Sequence, residues 1–374
     1  MRMKDRMKYL FRAPILFGDI LIRGRYDFTY DLMPMQMTDM PFPKRTNLLK
    51  AGLNLVYRRL KPYCTPLFMQ IELTNYCNLK CPVCPTGAGV LNRRPQSIDP
   101  QLFEQLMKEV GPNLLVLSLW AWGESLLHPK LAEILRIIQT YDTRTLLSTN
   151  GQNLDDELVI HALIKNPPTY LIVALDGLTD ETNARFRLGA KLAPALKGVR
   201  RIAELKKKNG QTYPILEMRF MVMKHNQHEI PLLQDFAKEN LFDMLAIRTL
   251  SIIDSTEEEH RSRVPDAEKH RAYEYDSQSR LRRKDFICQF GFISPTVFAD
   301  GTVVACEQDY NAQKPYGVFP KDGSFKVIWR GKRAGEIRKI IRSKPETFSF
   351  CRNCPYADRL VKTCSIELTD FRKS

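Results

Sequence analysis

The chain predicts an α/β fold: a partial (β/α)6 barrel with a small C-terminal domain and a basic amphipathic N-terminal extension. Three observations carry this. From Leu67 onward, apolar strand-like runs alternate with helical patterns, as in parallel strand–helix–strand units. The 374 residues exceed the usual size of one domain, and an apolar share of 44% is ample for a core. Nine cysteines fall into an early and a late set, separated by a charged, glycine-free stretch. The expected division is an N-terminal segment (1–66), a core domain (67–250), a charged linker (251–285) and an auxiliary domain (286–374).

Charge is unevenly spread in the N-terminal segment. Residues 1–63 hold 13 Lys/Arg against 5 Asp/Glu, and a second stretch, 321–344, holds 9 against 2, within a net charge of +15. Such imbalance points to an anionic partner: phospholipid head groups, a phosphorylated substrate or nucleic acid. The apolar stretch 9–22 is interrupted by Arg12, Pro14 and Asp19. It is too short to span a bilayer, which takes about twenty apolar residues. It either lies flat in a head-group region or docks on the main domain. Residues 31–47, with Pro34, Pro41 and Pro43 among four methionines, read as an irregular linker. The spacing of Leu48, Leu49, Leu53, Val56 and Leu60 predicts a helix over 47–60.

In the core, strands are expected at 67–73, 114–120, 145–149, 170–176, 215–223 and 244–250, with helices at 100–110, 129–140, 155–164, 191–208 and 229–239. Ligands of such sheets sit beyond the carboxyl ends of the strands. After the first strand, Cys77, Cys81 and Cys84 crowd into eight residues. A cubane iron–sulfur cluster is usually held by four thiolates, so three leave one iron open. Zinc sites are closed by a fourth ligand, and no His or Cys follows Cys84 within forty residues. An odd number of cysteines at metal-ligand spacings, with no secretory signal ahead of them, argues for a reducing, cytoplasmic setting, with peripheral contact on the inner face of the membrane.

The CxxxCxxC spacing, with the run from Glu72 to Cys81, resembles the radical S-adenosylmethionine (radical SAM) superfamily. The six strand–helix units match that family's partial barrel. The resemblance implies a [4Fe-4S] cluster on Cys77, Cys81 and Cys84, whose open iron chelates the amino and carboxylate groups of SAM. Gly123 and Glu124, after the second strand, resemble the family's GGEP motif, which holds the methionine ammonium; Ala121 and Ser125 depart from it. Ser148 and Asn150 resemble the ribose-contacting segment, and Asp176 the SxDG segment, with Ala174 in place of Ser. Arg187 resembles the element that pairs with the SAM carboxylate, and Asn226 the position near adenine and substrate. Trp120 and Trp122 are core residues or line the substrate chamber.

The late cysteines, Cys288, Cys306, Cys351, Cys354 and Cys364, flank a predicted β-hairpin at Ile293 to Ala305 with an Asp300-Gly301 turn, Cys288 before it and the others after. They resemble SPASM domains, in the shortened single-cluster "twitch" form. That implies one auxiliary [4Fe-4S] cluster on Cys288, Cys306, Cys351 and Cys354, with Cys364 spare or alternate; a zinc site is the competitor. Cys64 is expected to be structural.

The whole resemblance implies an oxidoreductase or transferase that takes an electron from a donor such as flavodoxin or ferredoxin. SAM then yields a 5′-deoxyadenosyl radical, which abstracts hydrogen from the substrate. The auxiliary cluster fits an oxidation. The substrate expectation leans to a membrane-associated lipid or glycolipid, or a small anionic metabolite. The alternatives are maturation of a ribosomal peptide or protein side chain, and a non-catalytic iron–sulfur electron carrier or sensor. Nucleic acid is not expected as a partner.

Overall fold

The computed structural model describes residues 15–251, 262–274, 281, 286–352, 354–357 and 364–369. Most of the charged linker lies outside these, as do residues 1–14 of the basic N-terminus.

Six parallel strands pair in chain order: β3 (Phe68–Ile71), β4 (Val116–Leu119), β5 (Arg144–Thr149), β6 (Tyr170–Ala174), β7 (Ile215–Val222) and β8 (Met244–Thr249). Every residue of β4 and β6 is buried, as continuous apolar strands covered on both faces must be. Helices Pro100–Val110, Leu131–Ile138, Glu157–Lys165, Leu192–Asn209 and Leu233–Glu239 fill the crossovers. Asp99 and Asp156 cap their helices by accepting from the N–H of Gln101 and Leu158, and Gly210, at φ +64°, ends the longest one in the left-handed conformation. These elements lie within a few residues of their expected positions.

Residues 26–37 are not part of a linker. They form an antiparallel hairpin, β1 (Tyr26–Tyr30) and β2 (Met33–Met37). Asp31 and Leu32 turn it with positive φ. Met33, Met35 and Met37 alternate into full burial and pack on Val116, Leu146, Tyr170, Ile172, Ile215 and Met244, the inward-facing row at the start of the barrel strands. The hairpin therefore plugs the amino-terminal end of the barrel. Hydrogen bonds from Tyr170 to the Pro34 carbonyl (2.8 Å) and from Arg248 to the Asp31 carbonyl (2.7 Å), with an Arg219–Asp31 ion pair (2.8 Å), pin it there. The prolines hid this hairpin: an edge strand tolerates Pro34, which a central strand would not. The helix expected over 47–60 instead spans Phe42–Tyr57, because Pro43 falls in the first turn, where its missing N–H is not needed.

The C-terminal residues extend the same sheet at both edges. The hairpin β9 (Thr296–Val297) and β10 (Thr302–Val304) turns at Gly301 (φ +84°) and joins β3 in parallel, with β11 (Gly317–Val318) beyond it; β12 (Cys364–Glu367) pairs antiparallel with β8. No helix among the described residues is long and apolar enough to cross a membrane.

Candidate functional site

The early cysteines lie at the carboxyl end of β3. The Cys84 N–H donates to the Cys81 carbonyl at 3.2 Å, closing a turn. Gly87 packs so tightly on this turn that a Cβ there would stand 2.4 Å from the Cys81 carbonyl oxygen. Cys77 Sγ accepts from the N–H of Leu79 (3.4 Å) and from Asn150 Nδ2 (3.5 Å). The thiols are unpaired by disulfides and close enough to feel one another's charge. Burial raises Cys77 and pushes Cys81 up to about 12, the neighbouring thiols adding to it and Arg187 opposing it. As thiolates they need a cationic centre, which bound iron supplies. Three free thiols on one short loop are the donors that a multi-iron cluster takes.

The sequence-singled residues surround this loop. Gly123 approaches strand β3's continuation: a Cβ would lie 2.1 Å from the Thr74 carbonyl oxygen. Glu124, 4% exposed, accepts from the N–H of Leu126 (3.0 Å) and of Asn150 (2.8 Å). An ionised carboxylate has about four acceptor sites, so capacity remains for an ammonium. Burial raises its pKa, opposed by those two N–H donors. Asn150 bridges the site, its amide reaching Cys77 and the Asn78 side chain (2.8 Å). Ser148 is half-buried one alternation earlier on β5.

Asp176 and Arg187 form a buried ion pair at 2.7 Å, their side chains 0% and 12% exposed. Burial raises the Asp176 carboxyl and Arg187 opposes that rise. The Nε side of Arg187 is thus committed within the chain, and a ligand carboxylate is left only its Nη groups. Asn226 is fully buried and spends its amide on the carbonyls of Asp176 and Met221 (both 2.9 Å) and its oxygen on the Met223 N–H (2.7 Å), which fixes the turn after β7. His225, passed over in the sequence, carries a buried Nε2 with no partner among the described residues, beside Asp176. Val83 packs with Phe186, Met223 and Leu250 against this mouth.

Substituting Gly123 by alanine is expected to displace the Thr74–Glu124 contact (hydroxyl to carbonyl, 2.8 Å). A displacement of about 1 Å at such a site costs roughly a hundredfold in rate. The rate of 5′-deoxyadenosine formation by the reconstituted variant, with iron content unchanged, checks this.

The late cysteines gather in the C-terminal part of the chain. Cys306 feels the charge of Cys288 and Cys354, and Cys351 that of Cys288 and Cys354. Burial raises all four. Backbone N–H groups of Phe290 and Gly291 point at Cys288, and those of Tyr356 and Ala357 at Cys354, the kind of donors that tune a cluster's potential. Cys364 sits in β12 opposite Ile247, and its side chain lies outside the described residues. Cys64 is buried and hydrogen-bonded through its carbonyl to Trp329 (3.0 Å).

Hydrogen bonds and an ion pair join the regions of the two cysteine sets. Trp122 Nε1 donates to the Glu307 carbonyl (2.7 Å), while Thr86, two residues past Cys84, donates to the Trp122 carbonyl. Arg93 forms a two-pronged contact with Glu72 (2.6 Å on both prongs), and Glu72 also accepts from the Ala299 N–H (3.3 Å). Glu307, a residue the motif pattern did not mark, is 7% exposed and takes hydrogen bonds from Tyr356 and from the Cys306 thiol (3.3 Å). Only its place next to Cys306 in the chain could have flagged it. Trp120 packs toward the hairpin-plugged interior.

Comparison with known proteins agrees with this geometry. The radical SAM superfamily model matches residues 71–236, and the iron–sulfur cluster-binding domain SPASM matches 288–355. The chain is 30% identical over 178 residues to the Fe-coproporphyrin III synthase of Methanosarcina barkeri, covering 45% of this chain and 40% of that protein. It is 23% identical over 167 residues to the tungsten-containing aldehyde ferredoxin oxidoreductase cofactor-modifying protein of Pyrococcus furiosus, covering 44% and 46%. The matches thus span less than half the length of these curated relatives. Among solved structures, SuiB of Streptococcus suis bound to S-adenosylmethionine superposes with a TM-score of 0.59 at 16% identity, covering 94% of this chain and 84% of that one.

Proposed function

We propose that this chain, a radical SAM enzyme with a C-terminal SPASM domain, oxidises a lipid, glycolipid or small anionic metabolite by hydrogen abstraction. The observation that supports this is the convergence of Cys77 and Cys81 with Glu124 and Asn150 at one mouth of the barrel, joined through Trp122 to the four late cysteines. When bound, the two clusters supply the electron for reductive cleavage of SAM and a sink for the electron left on the substrate. The chain's own residues do the rest. Glu124 presents acceptor capacity to an ammonium; Asn150 orients Cys77 and the loop after β5; Asp176 and Arg187 hold the floor of the site. The hairpin of Met33, Met35 and Met37 keeps water out of the barrel from its far end. In balance, an external low-potential donor gives one electron, SAM becomes methionine and 5′-deoxyadenosine, and the substrate loses a hydrogen atom, then an electron and a proton.

The substrate lean rests on the basic segments and on the Methanosarcina relative, whose name describes a porphyrin rather than a polypeptide. The second reading, peptide maturation, draws on SuiB, which has also been solved with its precursor peptide SuiA and superposes with a TM-score of 0.58. Anaerobic reconstitution with SAM and dithionite tests the common chemistry. The expected outcome is 5′-deoxyadenosine in excess of a SAM-only blank. A preparation that holds iron and sulfide and still yields none is an electron carrier instead.

A further inference from the structure

The helix Phe42–Tyr57 leaves an apolar stripe in solvent while burying polar residues. Its inward face carries Lys44, Asn47 and Asn54, which are 1%, 5% and 0% exposed, beside Leu48 and Ala51. Its outward face carries Phe42, Leu53, Val56 and Tyr57, which are 65%, 56%, 75% and 67% exposed. The polar residues lock this orientation. Lys44 donates to the Asp142 carbonyl, Asn47 exchanges two hydrogen bonds with the Thr65 backbone (2.9 and 3.2 Å), and Asn54 donates to the Phe292 carbonyl (3.1 Å). The helix cannot roll its apolar stripe inward without abandoning buried partners, and an apolar stripe held in water by such anchors marks an interaction surface.

Its charge says what the surface meets. Between Asp39 and Glu72 the chain carries six Lys/Arg and no acidic residue. The second basic stretch, far away in sequence, is brought to the same place: Arg338 and Arg342, on the helix Lys332–Ser343, donate to the carbonyls of Leu60 (3.0 Å) and Arg58 (3.2 Å). That helix turns Lys332, Arg333, Lys339 and Arg342 to solvent, against the single acid Glu336. At the opposite end, Arg45 binds the carbonyls of Leu21 and Ile22 (2.8 and 3.1 Å), placing the 81%-exposed Ile22 beside the helix start. An apolar stripe rimmed by cations is the pattern of a helix lying at an anionic bilayer, its side chains among the acyl boundary and its Lys/Arg at the phosphates.

We propose that the face formed by Phe42–Tyr57 and Lys332–Ser343 docks this protein on an anionic lipid bilayer. Arg58, at the end of the first helix, also donates to the Cys288 carbonyl (3.4 Å) and lies over the Phe292 ring. The docked face therefore borders the auxiliary cysteine set. The proposal deepens the lipid reading above, while its test measures binding, so failure of one is separable from failure of the other.

The test is co-sedimentation of the full chain with vesicles of phosphatidylcholine alone and of phosphatidylcholine with phosphatidylglycerol. The wild type is expected on the anionic vesicles and to be released by salt. The variant Leu53→Glu/Val56→Glu is expected to lose roughly tenfold or more in partitioning. Lys332→Glu/Lys339→Glu is expected to lose about as much on anionic vesicles only. All four positions are exposed and outside the reaction site, so 5′-deoxyadenosine formation and the melting temperature should match the wild type. Equal partitioning of wild type and variants, or a wild type that stays in the supernatant, overturns the proposal. So does sedimentation velocity showing a dimer that Leu53→Glu/Val56→Glu dissolves, which makes the face a self-association surface, and so does an RNA or peptide that binds it in preference to the vesicles.

Discussion

With Cys81 replaced by alanine, the protein is expected to form no 5′-deoxyadenosine, while the same change at Cys354 should leave that reaction running and uncouple it from substrate. The difference follows from where the thiols lie. Cys81 stands beneath Gly87 and beside Arg187 in the first loop, where a cluster with an open iron meets SAM. Cys354 belongs to the second set, held by the N–H groups of Tyr356 and Ala357, and has no part in that pocket. Each loss should remove about half of the iron, since each cluster is expected to contain about four atoms. Iron and sulfide analysis, with 5′-deoxyadenosine measured in the same samples, checks both halves. If Cys354→Ala also abolishes SAM cleavage, the two sets do not act separately.

Arg93→Met is expected to destabilise the fold by about 3–5 kcal/mol, the usual consequence of removing one partner of a buried ion pair. Glu72 is 0% exposed and Arg93 8%, so the orphaned carboxylate has no solvent to turn to. The pair also joins the barrel to the C-terminal hairpin, through the Ala299 N–H on Glu72 and the Arg93 guanidinium 3.8 Å from the Phe298 ring centroid. The dependence on pH has a definite sign. Burial already raises Glu72, against the opposition of Arg93; without Arg93 it rises further. A raised carboxyl favours the folded state when protonated, so the deficit should be largest at neutral and alkaline pH and shrink as pH falls toward the ordinary carboxylate range. Urea midpoints across that range measure it. The double variant Glu72→Gln/Arg93→Met should recover most of the loss, because no buried charge is then left unpaired.

Much of the fold was legible because its strands are buried on both faces. Runs such as Tyr170-Leu171-Ile172-Val173-Ala174 admit no other placement, and the expected helix at 100–110 is the observed Pro100–Val110. What stayed hidden was structure built by polar or conformationally unusual residues. The N-terminal hairpin hides its alternation behind Pro34 and Gln36, and the helix Phe42–Tyr57 buries Lys44 and two asparagines, contrary to the rule that apolar spacing marks the inner face. At the site, motif position indicated which loops matter but not which atoms are free. Asn226 bonds to backbone, and Asp176 takes the Nε side of Arg187 and leaves its Nη groups. That distinction depends on partners far apart in sequence, which spacing does not encode.

The placement of β9 and β12 on opposite margins of the sheet bears on how the polypeptide matures. Until β9 (Thr296–Val297) and β12 (Cys364–Glu367) have been synthesised, β3 and β8 each keep an unpaired edge, the condition that invites strand-to-strand clumping. The last quarter of the chain thus acts as a late clasp. Premature termination upstream would leave both margins of the sheet bare and remove the second set of thiols.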